Sequence, residues 1–264
     1  MYKFYRSVEN EGRTYSFMDS QPEINDKMRA ILIDWLVQVH HKFELSPETL
    51  YLTINIIDRY LESRATSRRE LQLAGMSAML IASKYEKFAP EVNELVCISD
   101  RTYTNEQVLI MEKRILGELE WNLTVPTAYV FLVRFIKASM TDSDVILLCE
   151  SLKLEPEARA RLELFFSLNE SCQADLSSSS IRITALLFKV ENMVYFLGMM
   201  NYEILIYSPS KLAASAVYAA RCTLNRKPTW NQTLEMHTGF SEQEITKCAN
   251  GWLVFILWRR VRRN

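Results

Sequence analysis

The sequence predicts an all-α protein built from two copies of one helical unit. Breakers are few, with Gly at 6 and Pro at 7 in 264 residues, and no βαβ alternation is present. Two stretches nearly repeat each other: LAGMSAMLIASK (Leu73–Lys84) and LAASAVYAARCT (Leu212–Thr223). After each comes an aromatic residue followed by a capping signal, Tyr103 before TNEQ and Phe240 before SEQE. In that register Lys84 aligns with Thr223 and Glu112 with Ala249, so a basic and an acidic residue are both missing from the second copy. Their joint absence marks them as a pair, and only the first copy is equipped with it.

The elements follow in order. Residues 1–24 form a short helical segment. The first strong helix begins after Pro22 and runs through KMRAILIDWLVQVHHKF. Its apolar residues fall on two faces: Met28, Ile31, Leu32, Trp35 and Val39 on one, Ile33, Leu36 and Val37 on the other. A helix apolar on so much of its surface must be covered on most sides, by its own core or by a partner. Ser46 and Pro47 open the next helix, ETLYLTINIIDRYLES. Ser67 and Glu70 read as a capping box before a helix from Leu71 to about Phe88, and Thr104 with Gln107 as another before VLIMEKRILGELEW. Pro126-Thr127 opens AYVFLVRFIKAS, where the second copy begins. That copy is irregular: residues 140–190 have no counterpart in the first, and one amphipathic helix from Glu157 to Leu168 is expected there.

Composition removes several classes of function. Net charge is −1 and the pI about 6.4, so no electrostatic footprint for nucleic acid shows over the whole chain. The five cysteines are odd in number and form no Cys-x-x-Cys, which reads as reduced, mostly buried thiols of an intracellular protein. There is no apolar signal segment at the start and no stretch of transmembrane length. The three histidines, His40, His41 and His237, lack a carboxylate or cysteine cluster at metal-ligand spacing. His40 and His41 at a helix end read as a favourable contact with the helix dipole. No catalytic residue, metal or cofactor is expected.

Charged residues in apolar surroundings are more informative. Lys84 follows Leu80 and Ile81 on one face, and Glu112 lies among Val108, Leu109, Ile115 and Leu116. Asp58 lies among Ile54, Ile57 and Leu61, and Arg29 precedes Ile33 and Leu36. Lone charges in such places cost several kcal/mol unless paired. Two pairings satisfy all four: Arg29 with Asp58 as an internal staple, and Lys84 with Glu112 as a pair that offers hydrogen bonds to a partner.

These residues also carry a resemblance. MRAILIDWL (Met28–Leu36), IDRYL (Ile57–Leu61), LQLAGMSAMLIASKYE (Leu71–Glu86), YTNEQVLIMEKRIL (Tyr103–Leu116) and Pro126-Thr127 resemble the cyclin box of mitotic cyclins. HHKFELSPETLYLTINIIDRYL and Gln38 in DWLVQV are similar to the B-type. LAASAVYAARCTLN with HTGFSE resembles the second cyclin fold of plant B-type members. The resemblance implies tandem five-helix cyclin folds: a box at 25–123, a second fold at 124–250 interrupted at about 140–190, and a divergent tail at 251–264.

It further implies an activating, non-catalytic subunit of a cyclin-dependent protein kinase in a 1:1 heterodimer. The implied role is control of the G2/M transition and mitosis, in nucleus and cytoplasm. Lys84, Glu112 and Tyr85 match kinase-contacting positions. Met28, Ile31, Leu32, Trp35, Gln38, Leu71 and Gln72 match the hydrophobic patch that docks Arg-x-Leu motifs of substrates and inhibitors. Arg29, Asp58 and Leu73 match structural signature positions. A competing reading is a transcription-factor-like helical adaptor on the same double fold, which would need a basic face. A membrane-surface helix at the carboxyl terminus is a third.

The pattern departs from the family in residues 140–190, in ENMVYFLGMMNYE, and in the tail GWLVFILWRRVRRN. These read as intron-derived segments of a variant that binds kinase without full activation. The sequence also begins close to the box, which implies a shortened member without the family's destruction box. RLELFFSLN (Arg161–Asn169) fits that box's loose spacing by coincidence.

Overall fold

The computed structural model describes residues 2–14, 17–139, 199–223 and 226–250. The insertion at 140–190, Arg161–Asn169, most of ENMVYFLGMMNYE and the tail at 251–264 lie outside them. Among the described residues all regular structure is helical. The chain divides into two compact units, Met1–Val130 with Phe196–Leu212, and Phe131–Tyr195 with Ala213–Asn264.

In the first unit, α1 (Tyr2–Val8) precedes five helices: α2 (Asp26–Lys42), α3 (Pro47–Ser63), α4 (Leu71–Tyr85), α5 (Val92–Ile98) and α6 (Asn105–Glu118). Local chemistry sets their starts. The Asn25 side chain accepts from Met28 N at 3.0 Å and caps α2. Pro47 stands in the first turn of α3. Thr104 and Gln107 form the reciprocal box that opens α6, at 3.2 and 2.8 Å. Ser67 and Glu70 do interact, at 3.1 and 3.3 Å, but they close a turn before the helix, which starts at Leu71 and ends at Tyr85 instead of running to Phe88. α5 has no clear apolar period and is opened by a Glu91–Glu94 box.

α4 is the axis of this unit. From Leu71 to Ser83 all but Gln72 are buried, and α2, α3 and α6 pack on it. Small residues permit that approach. A Cβ on Gly75 would lie 2.8 Å from Leu32 Cδ1, so a side chain here would push the Leu32 methyls aside. Ser77 Oγ donates to the Val108 carbonyl at 3.1 Å, which satisfies a buried hydroxyl across α4 and α6.

The charge staple is present. Arg29 is 0% exposed; its Nε and Nη2 donate to Asp58 Oδ1 and Oδ2, both at 2.6 Å. Its third donor group was not foreseen: Nη1 reaches the Met199 carbonyl at 2.8 Å, tying α2 to the 199–212 stretch. The amino-terminal segment is tied to the same stretch. Glu9 accepts from Ser210 N at 2.9 Å and Ser210 Oγ at 3.0 Å, and Arg6 pairs with Glu9 at 3.0 Å. Met18 N donates to Tyr202 Oη at 2.7 Å, and the Phe17 ring stands edge-on to Tyr202 at 5.2 Å.

His40 overturns the dipole reading. It is buried, its Nε2 is 2.8 Å from the Ser46 carbonyl, and burial together with neighbouring His41 lowers its pKa. Its role is to hold the α2–α3 turn as a neutral ring, because burial outweighs the Ser46 hydrogen bond that favours the charged form.

The second unit holds the greater part of α7 (Ala128–Ser139) and α8 (Pro209–Thr223), then α9 (Gln232–Thr238) and α10 at 242–250. An alanine-rich face of α8 (Ala213, Ala216 and Ala220 among others) is buried, and Ser215 Oγ meets Cys248 Sγ of α10 at 3.1 Å. Arg221 donates to three carbonyls, Ser139, Pro228 and Thr229, at 2.8–2.9 Å. Gly239 ends α9 with φ 73, a left-handed cap. Of the three described cysteines Cys248 is buried, Cys222 is half-buried and Cys97 is exposed, so the expectation of buried thiols holds for Cys248 and not for Cys97; Cys149 and Cys172 lie outside the described residues.

Asp58→Ala strands a buried guanidinium and is expected to cost about 3–5 kcal/mol, read by urea denaturation. The His40 pKa is lowered in the folded state, so its stability contribution is complete above the ordinary value of 6.5 and is lost as pH falls below it. His40→Gln should flatten that decline relative to wild type, in unfolding titrations that leave the similarly lowered His237 in place.

Candidate functional site

Two surfaces of the first unit combine polar anchors with exposed apolar residues. The first lies where the end of α4 meets α6. Lys84 Nζ and Glu112 Oε1 are 2.6 Å apart. Glu112 is 8% exposed, whereas the Lys84 side chain is 47% exposed. The sequence put Lys84 on an apolar helix face; in the structure α4 leaves the core after Ser83, so the ammonium stands at the rim. Tyr85 is exposed, with its hydroxyl 3.0 Å from Thr124 Oγ1.

Exposed apolar side chains occur on the same elements. Phe88, 72% exposed, follows α4, and Leu109 lies one turn before Glu112 on α6. Neither was singled out from the sequence, where each reads as one more core residue. An ammonium with donors to spare and a carboxylate with a free oxygen edge can bond the backbone of an incoming chain, while the apolar residues supply area. The register of the repeat is consistent with this division of labour. Val108 and Met111 are buried like Ile245 and Cys248, and at the Glu112 position the second copy buries Ala249.

The second surface is a groove of about 320 Å³ along α2, lined by Met28, Ile31, Leu32, Trp35, Leu71 and Gln72, with Arg68 added. Leu32 and Leu71 are buried and form its floor, Met28, Trp35 and Gln72 are half-buried, and Ile31 is 69% exposed. This face of α2 is therefore mixed, since Val39 is buried as well. Gln38 stands apart from the groove: it is exposed and its Nε2 turns back to Asp34, 3.4 Å from both the carbonyl and Oδ2. Arg68 escaped the sequence reading because it lies in a turn, outside any helical period. Arg29, Asp58 and Leu73 are buried and line neither surface. Among the described residues no group of histidine, cysteine and carboxylate side chains is placed to hold a metal ion.

Glu112→Gln retains shape and a hydrogen-bond acceptor for the half-exposed Lys84, and should cost at most about 1 kcal/mol in a thermal melt.

Comparison with known proteins gives a consistent result. The cyclin N-terminal domain family matches residues 1–124, and the cyclin C-terminal domain family matches residues 165–260. The chain is 61% identical over 259 residues to G2/mitotic-specific cyclin-1 of Antirrhinum majus, covering 97% of this chain and 45% of that one. It is 53% identical over 253 residues to G2/mitotic-specific cyclin S13-7 of Glycine max, covering 94% of this chain and 81% of the relative. Cyclin-B1-3 of Arabidopsis thaliana is 50% identical, with 94% and 50% covered. The chain thus spans about half the length of several curated relatives it matches. Among solved structures, a viral cyclin from herpesvirus saimiri superposes with a TM-score of 0.67 at 22% identity, covering 95% and 93% of the two chains. The CAK complex from Chaetomium thermophilum, bound to ATP-gamma-S, gives 0.52 at 13% identity, covering 95% and 71%.

Proposed function

The chain belongs to the cyclin family, with plant G2/mitotic B-type cyclins among its relatives, and we propose that it is the activating, non-catalytic subunit of a cyclin-dependent protein kinase at the G2/M transition. The observation that carries this reading is the Lys84–Glu112 pair: one carboxylate almost buried, one ammonium at the rim, and exposed Tyr85, Phe88 and Leu109 on the same elements. A purely internal staple would seal both charges, as Arg29 and Asp58 are sealed.

The mechanism is a population shift. A kinase is active only when its glutamate–lysine ion pair and metal-binding aspartate are in place. A rigid surface that binds that conformer better than the inactive one draws the equilibrium toward it, and only to the extent of that difference. Lys84 and Glu112 stand on α4 and α6, which pack against each other with α4 buried from Leu73 to Ser83, so the surface is preformed. In a 1:1 heterodimer, the Met28–Trp35 groove would leave α2 available to a second ligand, an Arg-x-Leu segment of a substrate or inhibitor. Its apolar walls and buried floor of Leu32 and Leu71 favour an apolar anchor.

Purified chain mixed with a mitotic cyclin-dependent kinase should stimulate histone-type phosphorylation. Lys84→Ala or Glu112→Ala should weaken kinase binding by about 2–5 kcal/mol, roughly 30-fold or more, because each leaves a desolvated partner charge in the complex. Unchanged co-precipitation and unchanged activity in both variants would reject the role. Trp35→Ala should leave phosphorylation of a motif-free peptide intact and lower only that of a docking-motif substrate.

A further inference from the structure

The α2 groove continues past its apolar wall. Arg68, which lines it, also lines an adjoining depression of about 850 Å³ formed by residues 22–25 and 67–69. Arg68 and Arg69 are both exposed there, and among the described residues neither guanidinium has an ion-pair or hydrogen-bond partner. Only their backbones are engaged: Arg68 N donates to Glu23 Oε2 at 3.2 Å, and the Arg69 carbonyl accepts from Tyr103 Oη at 2.8 Å. The depression therefore carries one carboxylate, Glu23, against two guanidinium groups, a surplus of one positive charge.

The α2 wall of the groove, Met28, Ile31, Leu32 and Trp35, runs along the helix axis. From the cap at Asn25 to Trp35 is about 15 Å at 1.5 Å per residue, which an extended chain covers in about four residues.

We propose that Arg68 and Arg69 form an electrostatic subsite next to the apolar groove, and that it accepts one carboxylate side chain of the docking peptide, about four residues from the part of the peptide seated at Trp35. This rests on the docking role proposed above for the groove. A single aspartate or glutamate balances the surplus charge. A phosphoserine, at about −2, would leave net negative charge beside Glu23. The forked guanidinium suits a carboxylate.

Fluorescence anisotropy with the full chain tests this. The probes are labelled synthetic peptides with an Arg-x-Leu core and, four residues to either side, glutamate, glutamine or phosphoserine. In one of the two placements the glutamate peptide should bind about fivefold more tightly than its glutamine counterpart, and the gap should close as salt is raised. The double variant Arg68→Gln/Arg69→Gln should erase the gap, and Arg69→Gln alone should narrow it while keeping the affinity for the glutamine peptide. If glutamate and glutamine peptides bind equally in both placements while Trp35→Ala weakens both, the subsite is overturned and the groove stands. If no peptide binds the wild-type chain, the groove reading falls and the subsite with it. Tighter binding of phosphoserine than of glutamate would overturn the carboxylate assignment.

Discussion

The constraint on which the first unit depends is steric: α4 is buried from Leu73 to Ser83. A helix with no solvent face must present small or well-fitted side chains to each neighbour, and Leu73–Ala82 does so with alanines, a serine and a glycine among larger apolar residues. Gly75 against Leu32 is the tightest point of that fit. Both candidate surfaces grow from this one element. Leu71 and Gln72 at its start contribute to the α2 groove, and Lys84 at its end contributes to the ion pair. Because α4 cannot shift without disturbing α2, α3 and α6 together, the two surfaces are held at a set separation, about 20 Å along the helix.

The two ion pairs show how the same chemistry takes opposite meanings. Arg29 is surrounded by acceptors and has no exposed surface, so every donor group is used internally, two on Asp58 and one on Met199. Such a site stabilises the fold through complete satisfaction of a buried cation, and it presents nothing outward. Lys84 keeps nearly half its side chain in solvent while Glu112 is almost buried. Internally such a pair is worth little. Under the proposed role, its value would lie in a carboxylate and an ammonium already oriented for an incoming backbone, with much of the ordering done in advance.

The repeat separates packing from binding. Both copies keep small residues on the long helix and buried apolar residues at matched positions of its neighbour, Val108 with Ile245 and Met111 with Cys248. Where the first copy spends a charged residue, Glu112, the second buries Ala249 at no electrostatic cost. The fold is thus made without the pair, which is why its presence in one copy reads as function.

Most helices, the all-α class and both charge pairings were legible in the sequence, because they rest on spacing and local chemistry: Pro47 and the Thr104–Gln107 box act within one turn, whereas the Asn25 cap and α5 were not read. The cyclin motifs were legible for the same reason, being contiguous strings. What depended on tertiary structure was exposure and long-range partnership. Periodicity cannot tell that α4 leaves the core after Ser83, that Leu32 and Val39 sink while Ile31 stands out, or that His40 is buried and neutral. Nor can it bring Met199 to Arg29, Ser210 to Glu9, or Arg68 to the edge of the groove, since each contact joins residues far apart in the chain whose meeting is set by how whole helices pack.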